Sequence, residues 1–104
     1  ILPSGITEKT DIPEKFALSC NPNPFNSASA IKVNIPENDR IKLAIYDIKG
    51  NMVETIADGE FSAGAHTFRW DGNDDNGNSL STGIYFVRLD TENSTIVRKI
   101  ALIK

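Results

Sequence analysis

The 104-residue sequence has little of several features that would define its chemistry. A single cysteine, Cys20, excludes an internal disulfide and a cysteine-based metal cage. The formal net charge of -3 lacks the basic excess that binds nucleic acid or anionic lipid, so we expect neither partner. The longest wholly apolar runs, 84–87 and 100–103, are far shorter than the roughly 20 residues that span a bilayer, so no membrane insertion is expected.

Groups that commonly perform catalysis are also scarce. His66 is the only histidine, and no nucleophile or orienting group can be placed beside it from the sequence. Cys20 has no basic neighbour in sequence that would activate its thiol, which favours a small, buried, apolar role. Because no catalytic set appears at usable spacing, we expect neither an enzyme nor a bound cofactor.

What the sequence does contain is apolar alternation with a two-residue period, interrupted by turn signals. Segments 31–35 and 41–45 alternate in this way, and Gly50 suits a hairpin turn at 49–51. Residues 53–57 are predicted to form a short edge strand, followed by a loop around Phe61. Seven short strands without helical periodicity predict an all-β fold, an immunoglobulin-like antiparallel β-sandwich of about seven strands.

The two ends of the chain have different compositions. Residues 1–14 include Pro3, Gly5 and Pro13, contain no aromatic residue and show no periodicity, which predicts a linker from a preceding domain. Residues 15–104 are predicted to be the folded domain. The absence of an initiator methionine leads us to expect a piece of a longer protein.

Large aromatic residues flank a polar loop in the segment 70–89. We expect Trp70, Phe68 and Tyr85 to enter the core while the loop stays at the rim. Phe86, on the opposite face from Tyr85, is the aromatic least easily explained as core. The alternative interpretation is that these four aromatics stack on sugars, in a carbohydrate- or cell-wall-binding accessory module of a secreted enzyme.

The loop 71–78 is rich in the oxygen donors that Ca²⁺ prefers. Asp71, Asn73 and Asp75 are therefore weak candidates for metal ligands. The helix-loop-helix calcium pattern is missed, because Gly77 falls one place late and no Glu follows at the bidentate position. A tight turn that uses Asn and Gly is the favoured interpretation.

The last ten residues, 95–104, carry three cations and no acid. We predict a final strand with its apolar side chains inward and its cations outward, beside an unpaired edge to which a receptor can add its own strand. The cations are Arg98, Lys99 and Lys104, and the inward residues are Ile96, Ile100 and Leu102.

Five ordered motifs, NPNPFN, YDIKGNMVETI, HTFRWDGNDDNGN, STGIYFVRL and RKIALIK, give the sequence a family resemblance. It resembles the type A C-terminal sorting domains of the type IX secretion system, which are related to the immunoglobulin-like domain of flagellar hook-capping proteins. The resemblance covers residues 13–104 and departs at 19–22, where relatives commonly show Gln-Asn-Tyr-Pro. The matching positions are Asn23, Pro24, Phe25, Asn26, Tyr46, Asp47, Gly50, Trp70, Asp71, Gly72, Gly83, Ile84 and Tyr85.

The resemblance implies a non-catalytic address that directs an N-terminally attached cargo domain through the periplasm to the cell surface or medium. The implied partners are the outer-membrane secretion machinery and a sortase-like peptidase that can cut upstream and attach the cargo to surface polysaccharide. A structural spacer beside an enzyme would share the same fold. The residues assigned to recognition are Arg98, Lys99, Ile100, Leu102 and Lys104.

Overall fold

The computed structural model describes residues 14–104, so the linker predicted for residues 1–14 lies outside the described residues except for Glu14. Every regular element in the described part is a strand, and no helix there is long and apolar enough to cross a membrane. The seven strands are β1 (Ala17–Asn21), β2 (Ser29–Ile35), β3 (Asp39–Tyr46), β4 (Met52–Phe61), β5 (Gly64–Trp70), β6 (Gly83–Asp90) and β7 (Thr95–Leu102).

The strands form two antiparallel sheets that pack face to face. One sheet has the order β1-β2-β5, and the other has the order β4-β3-β6-β7. The predicted immunoglobulin-like β-sandwich is therefore confirmed. β7, the last strand, lies at the edge of the four-stranded sheet, next to β1 of the other sheet.

The apolar residues that alternate along the sequence are also the residues that alternate in burial along the strands. In β2 the odd-numbered residues are buried, and β3 and β6 likewise send alternate residues into the core. Complete burial of a Val, Leu or Ile side chain contributes roughly 1.5–3 kcal/mol, so the contact between the two sheets is the main source of stability. The largest completely buried side chains include Trp70, Ile31, Ile35, Ile41, Leu43, Ile45, Leu89, Ile100 and Leu102.

β4 is longer than predicted. The strand was predicted to end at Ala57, because Asp58-Gly59 is a common turn pair, but it continues to Phe61. Gly59 stays in the ladder opposite Ile41, since β3 begins at Asp39 and offers pairing partners over that whole length. The prediction of a loop around Phe61 is therefore wrong, whereas the prediction of an edge strand is confirmed.

Candidate functional site

Three aromatic rings pack together at one end of the sandwich, close to the C-terminal end of β7. The ring centroid of Trp70 lies 5.3 Å from that of Phe25 and 5.5 Å from that of Tyr85. The Trp70 indole N–H donates to the Asn73 carbonyl at 2.9 Å, and the Tyr85 hydroxyl donates to the Ser81 carbonyl at 2.7 Å. The polar atoms of Trp70 and Tyr85 thus each have a hydrogen-bond partner.

This burial corrects the idea of a four-membered sugar platform. Trp70 and Tyr85 are buried, so their faces are not available for stacking. Phe68 lies in β5 and Phe86 in β6, on different sheets. The four side chains do not form one exposed surface.

Gly72 connects the polar loop to the terminal strand. Its backbone has a φ of +80°, which L side chains rarely adopt. A Cβ added there would lie 3.3 Å from both terminal methyl groups of Leu102 and 3.8 Å from the Phe25 ring. The glycine therefore allows the loop to pack directly on the end of β7.

The outer edge of β7 is occupied by the connection between β1 and β2. Phe25 adds as a short parallel bridge, with its N–H donating to the Ala101 carbonyl and its carbonyl accepting from the Ile103 N–H, both at 2.9 Å. Asn23 acts like a peptide group, because its amide donates to the Lys99 carbonyl at 2.8 Å and accepts from the Ala101 N–H at 3.0 Å.

Asn26 completes this arrangement by donating from its side-chain amide to the Ile103 carbonyl at 3.1 Å. We name residues 23–26 the clasp. It uses the outward backbone groups at 101 and 103 and the carbonyl of Lys99. The prediction of an unpaired edge beside the basic tail is thus wrong for residues 99–103, because the folded chain already supplies a strand substitute there.

The recognition residues predicted from the sequence divide into two groups. Ile100 and Leu102 are only 0% and 1% exposed, so no receptor can contact them while the domain is folded. Lys99 and Lys104 are exposed. The backbone N–H of Lys104 donates to the Thr82 hydroxyl at 2.9 Å, and its ammonium donates to the Ser79 hydroxyl.

Arg98 does not point outward as predicted. It pairs with the buried Val87 on the inner side of the sheet, and its Nε donates to the Leu18 carbonyl of β1 at 3.1 Å. Its guanidinium therefore joins the two sheets at the open side of the sandwich. The side chain remains exposed because the edge of the sandwich is open to solvent there.

Arg98 also lies close enough to Cys20 to affect the pKa of its thiol. Burial raises the pKa of the Cys20 thiol, and the Arg98 charge offsets part of this effect. Cys20 has no basic neighbour in the sequence, because it and Arg98 come together only across the two sheets. The half-buried thiol packs against the core.

The three candidate calcium ligands take part in separate hydrogen bonds. One Asp71 oxygen accepts from the Asn73 N–H at 3.2 Å, and one Asp75 oxygen accepts from the Thr55 N–H at 3.1 Å, on the edge of β4. The Asn73 carbonyl is taken by Trp70. Within residues 14–104, no three acidic, histidine or cysteine side chains gather in a geometry for a metal ion.

The loop contains the same turn as the β3–β4 hairpin. In Asp47-x-x-Gly50-Asn51, one carboxylate oxygen accepts from the N–H groups two and four residues later, and the glycine has a φ of +89°. Asp74-x-x-Gly77-Asn78 repeats each of these bonds, with a glycine φ of +83°. Gly77 stands one position too late for a calcium-binding loop, but it stands at the position where this turn requires a glycine. The shared Asp-x-x-Gly-Asn spacing could have revealed it.

Glu54 is a titratable group that the sequence analysis missed. Burial raises its pKa, and the nearby charges of Asp71, Asp75 and Asp74 raise it further. One of its carboxylate oxygens is buried without a hydrogen-bond partner. The only signal in the sequence was a glutamate in an edge strand next to an acidic loop.

His66 lies at the β4–β5 corner. Its Nε2 lies 2.8 Å from the Ser62 carbonyl, and its ring meets the edge of Phe61 at a centroid distance of 5.5 Å. These contacts give the side chain a packing role in the turn between the two sheets.

Known proteins of similar sequence include basal-body rod modification proteins. The basal-body rod modification protein FlgD of Salmonella typhimurium is 36% identical over 55 residues, which is 53% of this chain and 24% of that protein. FlgD of Escherichia coli K12 is 38% identical over 55 residues, with the same coverage. The chain thus spans about a quarter of the length of these curated relatives.

Solved structures with the same fold include two from Porphyromonas gingivalis. Dimeric latent PorU has a TM-score of 0.68 at 15% identity, over 83% of this chain and 9% of that chain. PorZ, described as an essential bacterial surface component of the type-IX secretion system, has a TM-score of 0.58 at 17% identity, over 85% of this chain and 12% of that chain. At these identities the likeness is one of fold alone.

A third structure, FlgD from P. aeruginosa, has a TM-score of 0.56 at 27% identity, over 74% of this chain and 66% of that chain. The family model for the FlgD Ig-like domain matches residues 21–95, from the end of β1 to the start of β7. The match covers more than half of the chain, and the seven strands form the expected sandwich. The chain therefore belongs to the family of FlgD Ig-like domains.

Proposed function

We propose that this domain is a non-catalytic C-terminal sorting module, which directs an attached N-terminal cargo across the outer membrane through the type IX secretion system to the cell surface or medium. The observation that carries the proposal is the convergence of the motif residues on the last strand. Phe25, Gly72 and the clasp asparagines all contact β7 or the residue that follows it. The likeness of fold to domains of PorU and PorZ supports it.

In this mechanism the label is a folded surface rather than a free peptide. β7 and the last residues are fixed to the sandwich, with Ile100 and Leu102 buried and Lys99 and Lys104 exposed. The partners are the outer-membrane secretion machinery, met in the periplasm, and a sortase-like peptidase that acts upstream of the domain. The domain itself performs no catalysis and uses no cofactor.

The test is an export assay. Residues 1–104 are fused to a periplasmic reporter in a host that has the secretion system, and the fusion is compared with one that lacks residues 99–104. We expect the complete fusion outside the cell and the truncated one in the periplasm. Retention of both fusions in the periplasm would show that the proposal is wrong.

Truncation also removes two core residues, so a variant that keeps the fold is needed. Lys99→Ser with Lys104→Ser changes only exposed side chains of the terminal segment. We expect this fusion to melt near the wild-type temperature and to be exported less. Lys32→Ser, on the outward face of the other sheet, is the matched control with unchanged export.

A second candidate function is a module of a flagellar rod or hook protein. It is favoured by the family match and by the FlgD structure at 27% identity. Replacing the Ig-like domain of a motile host's FlgD with residues 14–104 tests it: restored swimming supports this role, and loss of swimming with an intact fusion counts against it.

The carbohydrate-binding alternative depends on four aromatic residues, and two of them, Trp70 and Tyr85, are buried in the core. Affinity electrophoresis on soluble glycans tests what is left of it, and unaltered migration counts against it.

A further inference from the structure

The outward face of the four-stranded sheet carries a group of exposed apolar side chains. Ile48, Ile84, Val97 and Ile103 are 71%, 38%, 46% and 49% exposed. They account for four of the five large apolar side chains that are exposed among residues 14–104, and the fifth, Met52, pairs with Tyr46 in the same sheet. Scattered single residues of this kind are normal on a surface, whereas a contiguous group marks an interaction site.

Three of these side chains lie close together, because Ile48 lines one depression with Val97 and another with Ile84. Ile84 pairs with Ala101, Phe86 pairs with both Lys99 and Tyr46, and the neighbouring residues Tyr85 and Ile100 point into the core. Cross-strand partners lie on the same face of a sheet, so these side chains all point outward. We name this surface, formed by the outward residues of β3, β6 and β7, the display face.

The display face contains a groove. A depression of about 260 Å³ is lined by the apolar and aromatic side chains of Tyr46, Ile48, Phe86 and Val97, and by Asp47, Gly50 and Arg88. The Arg88 guanidinium lies 5.8 Å from the centre of the Tyr46 ring, within cation–π range. A depression of this size accepts one large apolar side chain of a partner.

One cation of the display face has no acidic cross-strand partner. Lys42 lies between Asp58 and Asp90, and Arg88 is bonded to Asp90 at 2.9 Å. Lys99, in contrast, pairs with Phe86 beside the groove. A carboxylate of a partner would be attracted to Lys99, and a cation would be repelled.

The clasp restricts how a partner can reach the last strand. Because the outward backbone groups at 101 and 103 are already bonded, a receptor strand cannot pair with this part of β7. The side chains on the display face, in contrast, are covered by nothing in the described part of the chain. Recognition of residues 99–103 in the folded domain is therefore left to a face of the sheet rather than to its edge.

We propose that the display face is the docking surface for a protein partner that presents an apolar side chain beside a carboxylate. The apolar side chain fills the groove between Phe86 and Ile48, and the carboxylate pairs with Lys99. This inference rests on the proposed sorting function, in which the partner belongs to the export machinery.

The test uses the reporter fusion of residues 1–104 in a host that has the secretion system. Ile84→Ser with Val97→Ser removes exposed apolar area, and Lys99→Glu reverses one charge of the face. We expect each variant to lower the exported fraction about tenfold, as loss of a central interface contact does, with a melting temperature close to that of the wild type. Lys32→Glu on the other sheet makes the same charge change and should leave export unchanged.

The outcomes separate this inference from the function on which it rests. A wild-type fusion that stays in the periplasm overturns both. A wild-type fusion that is exported, together with an Ile84→Ser/Val97→Ser variant that is exported equally well, overturns only the docking surface.

Two further measurements check the identity of the occupant. If sedimentation shows a wild-type dimer and a monomeric Ile84→Ser/Val97→Ser variant, the face is covered by a second copy. If the wild type alone floats with phosphatidylglycerol vesicles, the face binds lipid. Either result overturns a protein partner of the export machinery, whereas a monomer that does not float agrees with it.

Discussion

Gly72 shows how a single residue in the polar loop controls the terminal strand. Its position needs a left-handed backbone, and an added Cβ would be tight against Leu102, which would have to shift slightly. Gly77, in the same loop, has almost the same backbone angle but nothing within 4 Å of an added Cβ. Substitutions at Gly72 and Gly77 therefore distinguish the free-energy cost of backbone strain from the free-energy cost of lost packing.

We predict that Gly72→Ala destabilises the domain more than Gly77→Ala. The left-handed conformation costs a non-glycine residue about 1–2 kcal/mol at both sites, and only at Gly72 does Leu102 also have to move. Urea denaturation of the two variants measures the difference. Equal free energies of unfolding would show that the loop does not pack on β7 as described.

Glu54 is a residue whose negative charge is unfavourable to the fold. Because burial and the Asp71, Asp75 and Asp74 charges raise its pKa above the ordinary 4.5, the folded state holds this proton more tightly than the unfolded state. The free energy of unfolding contributed by this group therefore falls as the pH rises from the ordinary value through the raised one.

We predict that Glu54→Gln raises the melting temperature at pH 7 by a few degrees, because the amide carries no charge and can donate to the neighbouring carboxylates. The gain should shrink as the pH falls below 4.5, where the glutamate is protonated in both states. Melting curves between pH 4 and pH 8 measure it. Glu60→Gln, an exposed change on the same strand, is the control, and a gain at Glu54 that does not vary with pH would contradict the electrostatic cause.

At the level of elements, the clasp is the feature that distinguishes β7 from an ordinary edge strand. A free edge of this kind invites pairing with other chains, and natural proteins usually protect it. Here the protection comes from the β1–β2 connection, in which the side chain of Asn23 replaces a peptide group. The clasp therefore stabilises β7 and at the same time excludes competing strands.

We predict that Asn23→Ala destabilises the domain by about 1–3 kcal/mol, since the change leaves the Lys99 carbonyl and the Ala101 N–H without their partner. Asn76→Ala, in an exposed turn, is the control and should change stability little. Chemical denaturation compares the two. A loss at Asn23 no larger than that at Asn76 would mean that the clasp does not secure the strand.

The elements that could be predicted from the sequence are those whose signal is local. Alternation at 31–35 and 41–45 indicated which residues face the core, and Gly50 indicated the hairpin turn. The length of β4 could not be predicted in the same way, because Gly59 permits either a turn or a strand. The pairing offered by β3 decided between them.

The candidate site was predicted only in part, because its contacts are distant in sequence. Lys99 and Lys104 are exposed as predicted. Arg98 turns inward to reach a carbonyl 80 residues earlier, and Asn23 bonds to a residue 76 positions later. No periodicity within a strand contains that information, since it arises when the edges of two sheets meet.

At the scale of the whole molecule, the polar and apolar surfaces have separate locations. The acidic loop 71–78 lies at the end of the sandwich, where its carboxylates hold turns and the edge of β4. The display face combines cations with exposed apolar side chains on one sheet. A domain organised in this way attracts a partner's carboxylate at Lys99 and repels it at the acidic loop.

The measurement that tests the central claim most directly is amide hydrogen exchange on the intact domain, read residue by residue by NMR. The claim is that the last strand is held on both sides, by β6 and by the clasp, so that only its outward side chains are presented. We predict that the amides of Ala101 and Ile103 exchange at least about a hundredfold more slowly than unstructured amides, because each is bonded within the clasp. Exchange of these two amides at the unprotected rate, in a domain whose β6 amides are protected, would contradict the claim.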